Sequence, residues 1–356
     1  MNSCDVLVAG AGPAGSLASL ELARAGLRVI VADGSAAAKS PKIGEGLPSV
    51  GWRLLRSLGL ATSDFGTVHS EIGGNLACWA SDELEVTDFL NDPDGPGWRL
   101  SRRQFDAWLL DAAVSAGARL VPFHLDAIAR SAGGANWEAG TKSGEIIRSK
   151  WLVDATGRGS SAARRLGHVR VRDAPGLVAL YVFGESRPAD SCNRTLVEAV
   201  PEGWWYGAVL PQGKAILSLH VRPDDAGRAR QDWRNALGRT SYMREFFPAS
   251  GFPEPPTAAE AGGSRLDALF GANWIACGDA ALAFDPLSSQ GIYTAMYSGL
   301  AAARAIVGSK SGDEAMLGDY GCRLGQIQAV YKARLTSSYR SVRRWPDAPF
   351  WASWRS

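Results

Sequence analysis

The feature that most restricts this chain is an apolar run of strand length, Val6-Leu7-Val8-Ala9, that passes directly into Gly10-Ala11-Gly12-Pro13-Ala14-Gly15. A helical stretch follows from Ser16 to Ala25. Gly26 supplies its stop, Leu27 to Val31 reads as a second strand, and Asp33 stands at that strand's end. In such a unit Gly10 permits the turn, Gly12 lets a diphosphate approach the backbone, and Gly15, next to Ala14, lets helix and strand pack closely, with the positive helix end toward the anion. An acidic side chain at the place of Asp33 accepts ribose hydroxyls and disfavours a 2′-phosphate. The full strand–turn–helix–strand context points to a dinucleotide site, against the alternative that the glycines serve packing alone. The motif does not separate NAD from FAD.

Two distant segments point to flavin. Ile275-Ala276-Cys277-Gly278-Asp279-Ala280-Ala281 is a strand ending in a glycine and a carboxylate; Asp285-Pro286-Leu287-Ser288-Ser289-Gln290-Gly291-Ile292 is a turn that opens a helix running to about Val307. Asp279 can bond a ribityl hydroxyl, and the backbone N–H groups from Leu287 to Ile292, at a positive helix end, suit the negative charge of a reduced flavin. A third segment, Trp151-Leu152-Val153-Asp154-Ala155-Thr156-Gly157, is again strand then glycine turn. Asp154 has two readings there, a ligand of the cofactor or a carboxylate that braces the turn.

Together the three segments resemble the FAD-binding flavoproteins of the p-hydroxybenzoate hydroxylase type, which include flavin halogenases and geranylgeranyl reductases. The resemblance covers most of the chain. It implies an α/β fold, a Rossmann-like FAD-binding domain of the GR2 type carrying an inserted, mostly antiparallel β-sheet substrate domain. By that match Gly10, Gly12, Ala14, Gly15 and Asp33 hold the ADP part, and Asp154 and Gly157 lie near the diphosphate. Gly278 and Asp279 reach the ribityl chain and the diphosphate, and Pro286, Ser289, Gln290, Gly291 and Ile292 are assigned to the cofactor as well. The stretch Arg102-Arg103-Gln104-Phe105-Asp106 is similar to the family's Arg-x-x-Phe-Asp helix. The match assigns Arg102 to FAD; the residue pattern alone equally allows a solvated arginine at a helix start. Gly44-Glu45-Gly46-Leu47-Pro48 resembles the Gly-Glu loop beside the isoalloxazine in halogenase-like members. Glu45 is therefore the first candidate for a polar catalytic side chain, with a surface-loop glutamate as the rival reading.

Flavin chemistry is carried by the ring, so the absence of a nucleophilic triad excludes nothing. Halogenase relatives place a lysine between flavin and substrate a few tens of residues after the Gly-Glu loop, beside a Trp-x-Trp-x-Ile-Pro motif. This chain has no lysine between Lys42 and Lys142, and Trp204-Trp205-Tyr206 does not supply the motif. Halogenation is disfavoured. The Gly-Asp-Ala-Ala segment at 278–281, the Asp285–Gly291 turn, the Gly44–Pro48 loop and Gly203-Trp204-Trp205-Tyr206 are together closest to the LodB-like flavoproteins, maturation factors of amino-acid oxidases whose cofactor is a tryptophylquinone. That resemblance implies an FAD-dependent monooxygenase acting on a tryptophan of a precursor oxidase polypeptide, with NAD(P)H or a flavin reductase as electron donor. The alternatives are an FAD-dependent reductase or dehydrogenase, a hydroxylase of small aromatic metabolites, or a flavin-binding escort protein without catalysis.

Strand patterns at Leu177–Phe183, Thr195–Val200, Trp204–Leu210 and Ala215–Val221, separated by Pro, Gly and Asp turns, suggest a second sheet. The expected division is an FAD-binding domain from residues 1–75, 97–170 and 265–305, a substrate sheet from 76–96 and 171–264, and a helical, aromatic tail from 306–356. Adjacent strand residues face opposite sides, so only one or two of Trp204, Trp205 and Tyr206 can line one wall; Trp205 is the catalytic candidate among them. The tail from Tyr339 to Arg355 interleaves arginines with aromatics, which suits packing on the body or contact with a partner protein. Thirty-eight basic against 36 acidic residues leave a formal charge of +2, too little for a nucleic-acid-binding field. The five cysteines show no metal-ligand spacing, and His69, His124, His168 and His220 are isolated, so no metal is expected. A chain opening straight into a strand, with no long apolar stretch, is expected to be cytoplasmic and without a membrane span.

Overall fold

The computed structural model describes residues 2–34, 42–89, 92–141, 144–186, 193–252, 255–313 and 315–355. Its central sheet is built on five parallel strands in the order Trp274–Ala276, Ile146–Asp154, Asn2–Ala9, Val29–Ala32, Arg119–Val121. The inner strands are apolar without alternation because helices and loops cover both faces, and Val6, Leu7, Val8, Val31, Leu152 and Val153 are all fully buried. Register brings the strand ends level. Ala9 is paired with both Asp154 and Ala32, and Asp154 with Ala276, so four strands end side by side. The turns after them, starting at Gly10, Asp33, Ala155 and Cys277, therefore emerge together at the carboxyl edge, where ligands of open α/β sheets bind.

The helix after the glycine turn, Pro13–Arg24, crosses a second helix, Gly291–Lys310, on one face of this sheet. The crossing is tight because a Cβ at Gly299 would stand 2.2 Å from the carbonyl oxygen of Ala14.

A second, seven-stranded sheet has the order Thr257–Glu260, Val178–Glu185, Lys214–Val221, Gly203–Leu210, Arg194–Val200, Gly74–Cys78, Glu85–Asp88. All its pairs are antiparallel except that between Arg194–Val200 and Gly74–Cys78. One face is covered by the short helices Ala226–Gln231, Trp233–Gly238 and Met243–Phe246, which the strand-and-turn reading of 171–264 missed. The signal was present: the buried positions Ala229, Trp233, Ala236 and Leu237 fall at helical spacing. The other face is covered by the long helix Ala315–Ser341 and the residues after it. Phe350 and Trp351 are buried, and the Trp351 indole donates to the carbonyl of Val200 at 2.8 Å, so the aromatic tail packs onto the body.

A small three-stranded sheet, Gly46–Leu47, Gly97–Arg99 and Ser70–Ile72, lies between the two large ones. It pairs Arg99 with Gly46 on one side and Ser70 on the other. Among the described residues no helix is long and apolar enough to cross a membrane, and no cluster of side chains could hold a metal ion.

Candidate functional site

The glycines at the carboxyl edge divide into two kinds. Gly10, at φ +104°, would place a Cβ 2.4 Å from the Ala155 oxygen; at Gly15 it would stand 1.9 Å from the Gly10 oxygen, and at Gly278 2.6 Å from the Ala14 Cβ. These three are glycine so that the turns can touch one another. Gly12, Gly157 and Gly291 are different, because a Cβ at any of them meets no protein atom within 4 Å. Backbone is bare there on the side away from the fold, which is the surface a close-lying diphosphate or ring needs.

Gly12 caps the Pro13–Arg24 helix and Gln290 caps the Gly291–Lys310 helix, so the first-turn N–H groups of both lack helical acceptors. Gly299, in contact with Ala14, lies eight residues beyond Gly291, which separates the two positive helix ends by about 12 Å along the second helix axis. Pro286, Ser289 and Gln290 are exposed, Gly291 is half-buried, and Ile292 turns its side chain into the core, leaving only its amide for a ligand. Ser289 is held at φ +50°, the left-handed turn that aims the chain into the helix.

Asp33 accepts a hydrogen bond from the Ala11 N–H at 2.7 Å, so it braces the glycine turn from the next strand end. Asp154 differs from the ligand reading. It is buried, its Oδ1 accepts from the Thr156 amide at 2.9 Å and hydroxyl at 2.6 Å, and its Oδ2 accepts from the Ala163 amide at 2.7 Å. Those three donors consume it. Asp154 is a turn carboxylate, and Gly157 is the position in its segment that faces open space.

Asp279 is deep among protein atoms, and desolvation pushes its carboxyl above the usual range against the pull of Arg158, Arg170 and Arg102. About 35% of its side chain is nevertheless reachable by water; deep and wetted together describe the wall of a cleft. Two arginines that no motif singled out as ligands hold it there. Arg158 Nε lies 3.5 Å from Asp279 Oδ2 and its NH1 donates to the Gly262 oxygen at 2.7 Å, while Arg170 donates to the Asp279 and Ala280 carbonyls at 2.8 and 3.1 Å. Arg158 was visible only as part of a glycine turn, and Arg170 comes from a separate strand, Arg170–Arg172.

Asp285 sits below the turn before the second helix. Its Oδ1 accepts from the Leu287 amide and its Oδ2 from the Tyr339 hydroxyl, each at 2.9 Å; that hydroxyl in turn accepts from the Trp204 indole at 2.9 Å. Burial outweighs these bonds and raises the Asp285 carboxyl to about 6.

Arg102 spends its guanidinium on the Gly-Glu loop. NH1 donates to the Ile43 and Gly44 carbonyls at 2.8 and 2.6 Å, and Nε and NH2 pair with Asp106, which also holds Lys42 at 2.7 Å. The Arg-x-x-Phe-Asp pattern thus appears as a clamp on residues 42–44. Glu45 itself is buried. Its Oε1 accepts the hydroxyl proton of Tyr206 in a short hydrogen bond and lies 3.6 Å from Arg99 NH1. Arg99 donates to the Tyr206 oxygen at 2.9 Å and to the Thr195 hydroxyl at 2.8 Å. Burial and Glu45 raise the Tyr206 phenol far above its ordinary value, so the proton stays on its oxygen.

Trp205 is placed otherwise than expected. Strand alternation turns it into the helix-covered face, against Trp233, Met243 and Phe247, while Trp204 and Tyr206 face the opposite side. Trp205 is a core residue, and the side chain of its run that reaches Glu45 is Tyr206.

Arg99 also lines an open cleft of about 240 Å³ together with Glu71, Asn193 and the Val209–Gln212 corner of the second sheet.

A parallel sheet whose aligned turns present bare backbone beside two helix N-termini, with a carboxylate on the wall between, defines a dinucleotide-binding oxidoreductase. The chain matches the FAD binding domain family over residues 3–322 and belongs to that family. FAD is its cofactor and FAD-dependent oxidation–reduction its class of chemistry. It is 29% identical over 362 residues to LodB, an FAD-dependent oxidoreductase of Marinomonas mediterranea, covering 99% of this chain and 96% of that protein. Its fold is similar to that of CmlS, a flavin-dependent halogenase, with a TM-score of 0.88 at 23% identity over 99% of this chain and 68% of the other. It is similar also to QhpG, a peptidyl tryptophan dihydroxylase essential for tryptophylquinone cofactor biogenesis, with a TM-score of 0.80 at 22% identity over 99% and 79%.

Proposed function

We propose that this FAD-dependent oxidoreductase is a monooxygenase that oxygenates a tryptophan side chain of a partner polypeptide, in the maturation of a tryptophylquinone cofactor of an amino-acid oxidase. The observation that carries the reading is the cleft beside Arg99. It is open rather than enclosed, so a chain can enter, and it has an apolar wall at Val209, Leu210 and Pro211 on which an indole can lie. The near end-to-end correspondence with LodB and the fold shared with QhpG support it. Halogenation has no lysine to serve it among the described residues. Lys42, Lys150, Lys214 and Lys332 are each bound to a carboxylate, and Lys310 ends the helix Gly291–Lys310.

In the proposed complex the bare backbone at Gly12 and the N–H groups of the first helix hold the FAD diphosphate, Asp279 takes a ribityl hydroxyl, and the amides of Gly291 and Ile292 face the negative edge of the ring, those of Leu287 to Gln290 being spent within the turn. Bound and reduced, the cofactor supplies an activated oxygen atom from O2. Each insertion consumes one O2, two electrons delivered by NAD(P)H or a reductase, and two protons; one oxygen atom enters the ring C–H bond and the other leaves as water. The chain's own part is positional. Arg102 and Asp106 fix the Gly44–Glu45 loop, and Tyr206 keeps its proton and donates it in a hydrogen bond to Glu45 while Arg99 balances the carboxylate's charge. The helices and tail seal the sheet behind the cleft.

The test is to incubate the FAD-loaded protein, a reductant and ¹⁸O₂ with the precursor oxidase and to map masses by peptide. One or two labelled oxygens on a single tryptophan is the expected outcome. An unlabelled, reduced product would indicate a reductase, and an unchanged precursor held equally in every flavin state would indicate an escort protein.

A further inference from the structure

Arg99 is only 3% exposed, yet it forms part of the cleft wall. Its guanidinium carries five N–H donors. NH1 donates to Tyr206 and lies 3.6 Å from Glu45, NH2 donates to Thr195, and among the described residues no further acceptor meets the remaining N–H groups. Its positive charge is already balanced by Glu45. What Arg99 offers the cleft is hydrogen-bond donation without net charge.

The other polar groups on the wall sharpen this. Glu71, from the same small sheet, brings an exposed carboxylate, Asn193 and Gln212 bring amides with both donor and acceptor, and Ser70 brings a hydroxyl; among the described residues Arg99 is the sole cationic side chain on the wall. Among the described residues the rim is therefore net negative. An anionic ligand would meet Glu71 with no free cation among the described lining residues to compensate, and like charges across an interface are disfavoured. A neutral group with a carbonyl acceptor and an N–H donor matches Arg99, Glu71 and Asn193 together.

We infer that the cleft is a peptide-group site: Arg99 donates to a backbone carbonyl of the substrate, Asn193 and Glu71 receive backbone N–H groups, and the aromatic ring between them lies on Val209, Leu210 and Pro211. It selects an aromatic residue flanked by amides over the free amino acid. The inference rests on the reading of the substrate as a polypeptide and names how that substrate is told from free tryptophan.

The FAD-loaded protein is titrated calorimetrically at pH 7 with N-acetyl-L-tryptophanamide and with N-acetyl-L-tryptophan, which differ only in amide against carboxylate. The amide is expected to bind about 10-fold or more tighter, with Glu71→Gln narrowing the gap to about 3-fold by admitting the anion. Asn193→Ala is expected to weaken the amide by about 3- to 10-fold, the worth of one hydrogen bond. Both positions are exposed, so these variants keep the test valid where Arg99→Gln, which strips Glu45 of its counter-charge, fails to fold. Equal or tighter binding of the anion, a gap that Glu71→Gln does not change, or no binding of the amide at millimolar concentration would each overturn the site. The ¹⁸O experiment is separate: oxygenated precursor without amide selectivity defeats this inference alone, and amide selectivity with an unmodified precursor defeats the functional reading alone.

Discussion

Replacing Gly12 by alanine separates what the fold needs from what the cofactor needs. Gly12 has φ −73° and ψ −177°, a conformation open to any residue, and an added Cβ meets no protein atom within 4 Å. Without FAD the Gly12→Ala variant should unfold at the same urea concentration as the parent or slightly higher, the gain being up to about 0.4–1 kcal/mol from a less flexible unfolded chain. With FAD the methyl group stands where the diphosphate must approach. Losing one charge-assisted hydrogen bond costs about 1.5–3 kcal/mol, which raises the Kd for FAD by about 10- to 150-fold. Gly15→Ala is the control of opposite sign. Its Cβ would overlap the Gly10 oxygen at 1.9 Å, so the apoprotein itself should lose at least about 1–3 kcal/mol. Apoprotein stability is read from urea unfolding and affinity from quenching of flavin fluorescence. A Gly12→Ala protein that binds FAD as tightly as the parent would refute the assignment of that bare backbone to the diphosphate.

The buried networks set further expected outcomes. Glu45→Gln leaves Arg99 without a counter-charge and should destabilise by about 3–5 kcal/mol in denaturant unfolding, whereas replacing Glu45 and Arg99 together by leucine and methionine should restore most of that stability while abolishing turnover. Asp285 is raised to about 6, so the native state keeps a proton that the unfolded chain has released; stability should fall as pH rises from about 4 to about 6 and then level off, by up to about 3 kcal/mol. In Asp285→Asn that part of the pH profile should be flat. Trp205→Ala should cost about 3–5 kcal/mol as a core deletion, yet the folded fraction should keep its oxygenation rate per bound flavin, since Trp205 faces the helices. Trp351→Ala should destabilise as well, by loss of its buried ring and its bond to Val200, with the effect visible in thermal melts.

The glycine turns, their strands and the flavin class were legible because each is a local pattern whose chemistry needs only neighbours in sequence. Gly10 and Gly15 are glycine for the turn and the close packing that the motif itself foretells, whereas the contact of Gly278 with Ala14, far along the chain, was not foretold. Residues whose partners lie far along the chain were not legible in the same way. Asp154 and Asp279 both follow a strand and look alike in the sequence, but three donors within nine residues consume the first, while the second is left on a wetted wall between distant arginines. Trp204, Trp205 and Tyr206 could be divided between two faces by alternation, but which face meets Glu45 depends on the helices at 226–246 and on the tail.

The order of residues alone determined that this chain binds a dinucleotide through turns at strand ends, since strand period, glycine geometry and helix polarity act over a few residues. Tertiary structure decided which carboxylates remain open to that ligand, placed Arg99 and Tyr206 on Glu45, and shaped the cleft beside them. Burial and charge compensation depend on every element that packs around a group, and a linear pattern carries no record of that packing.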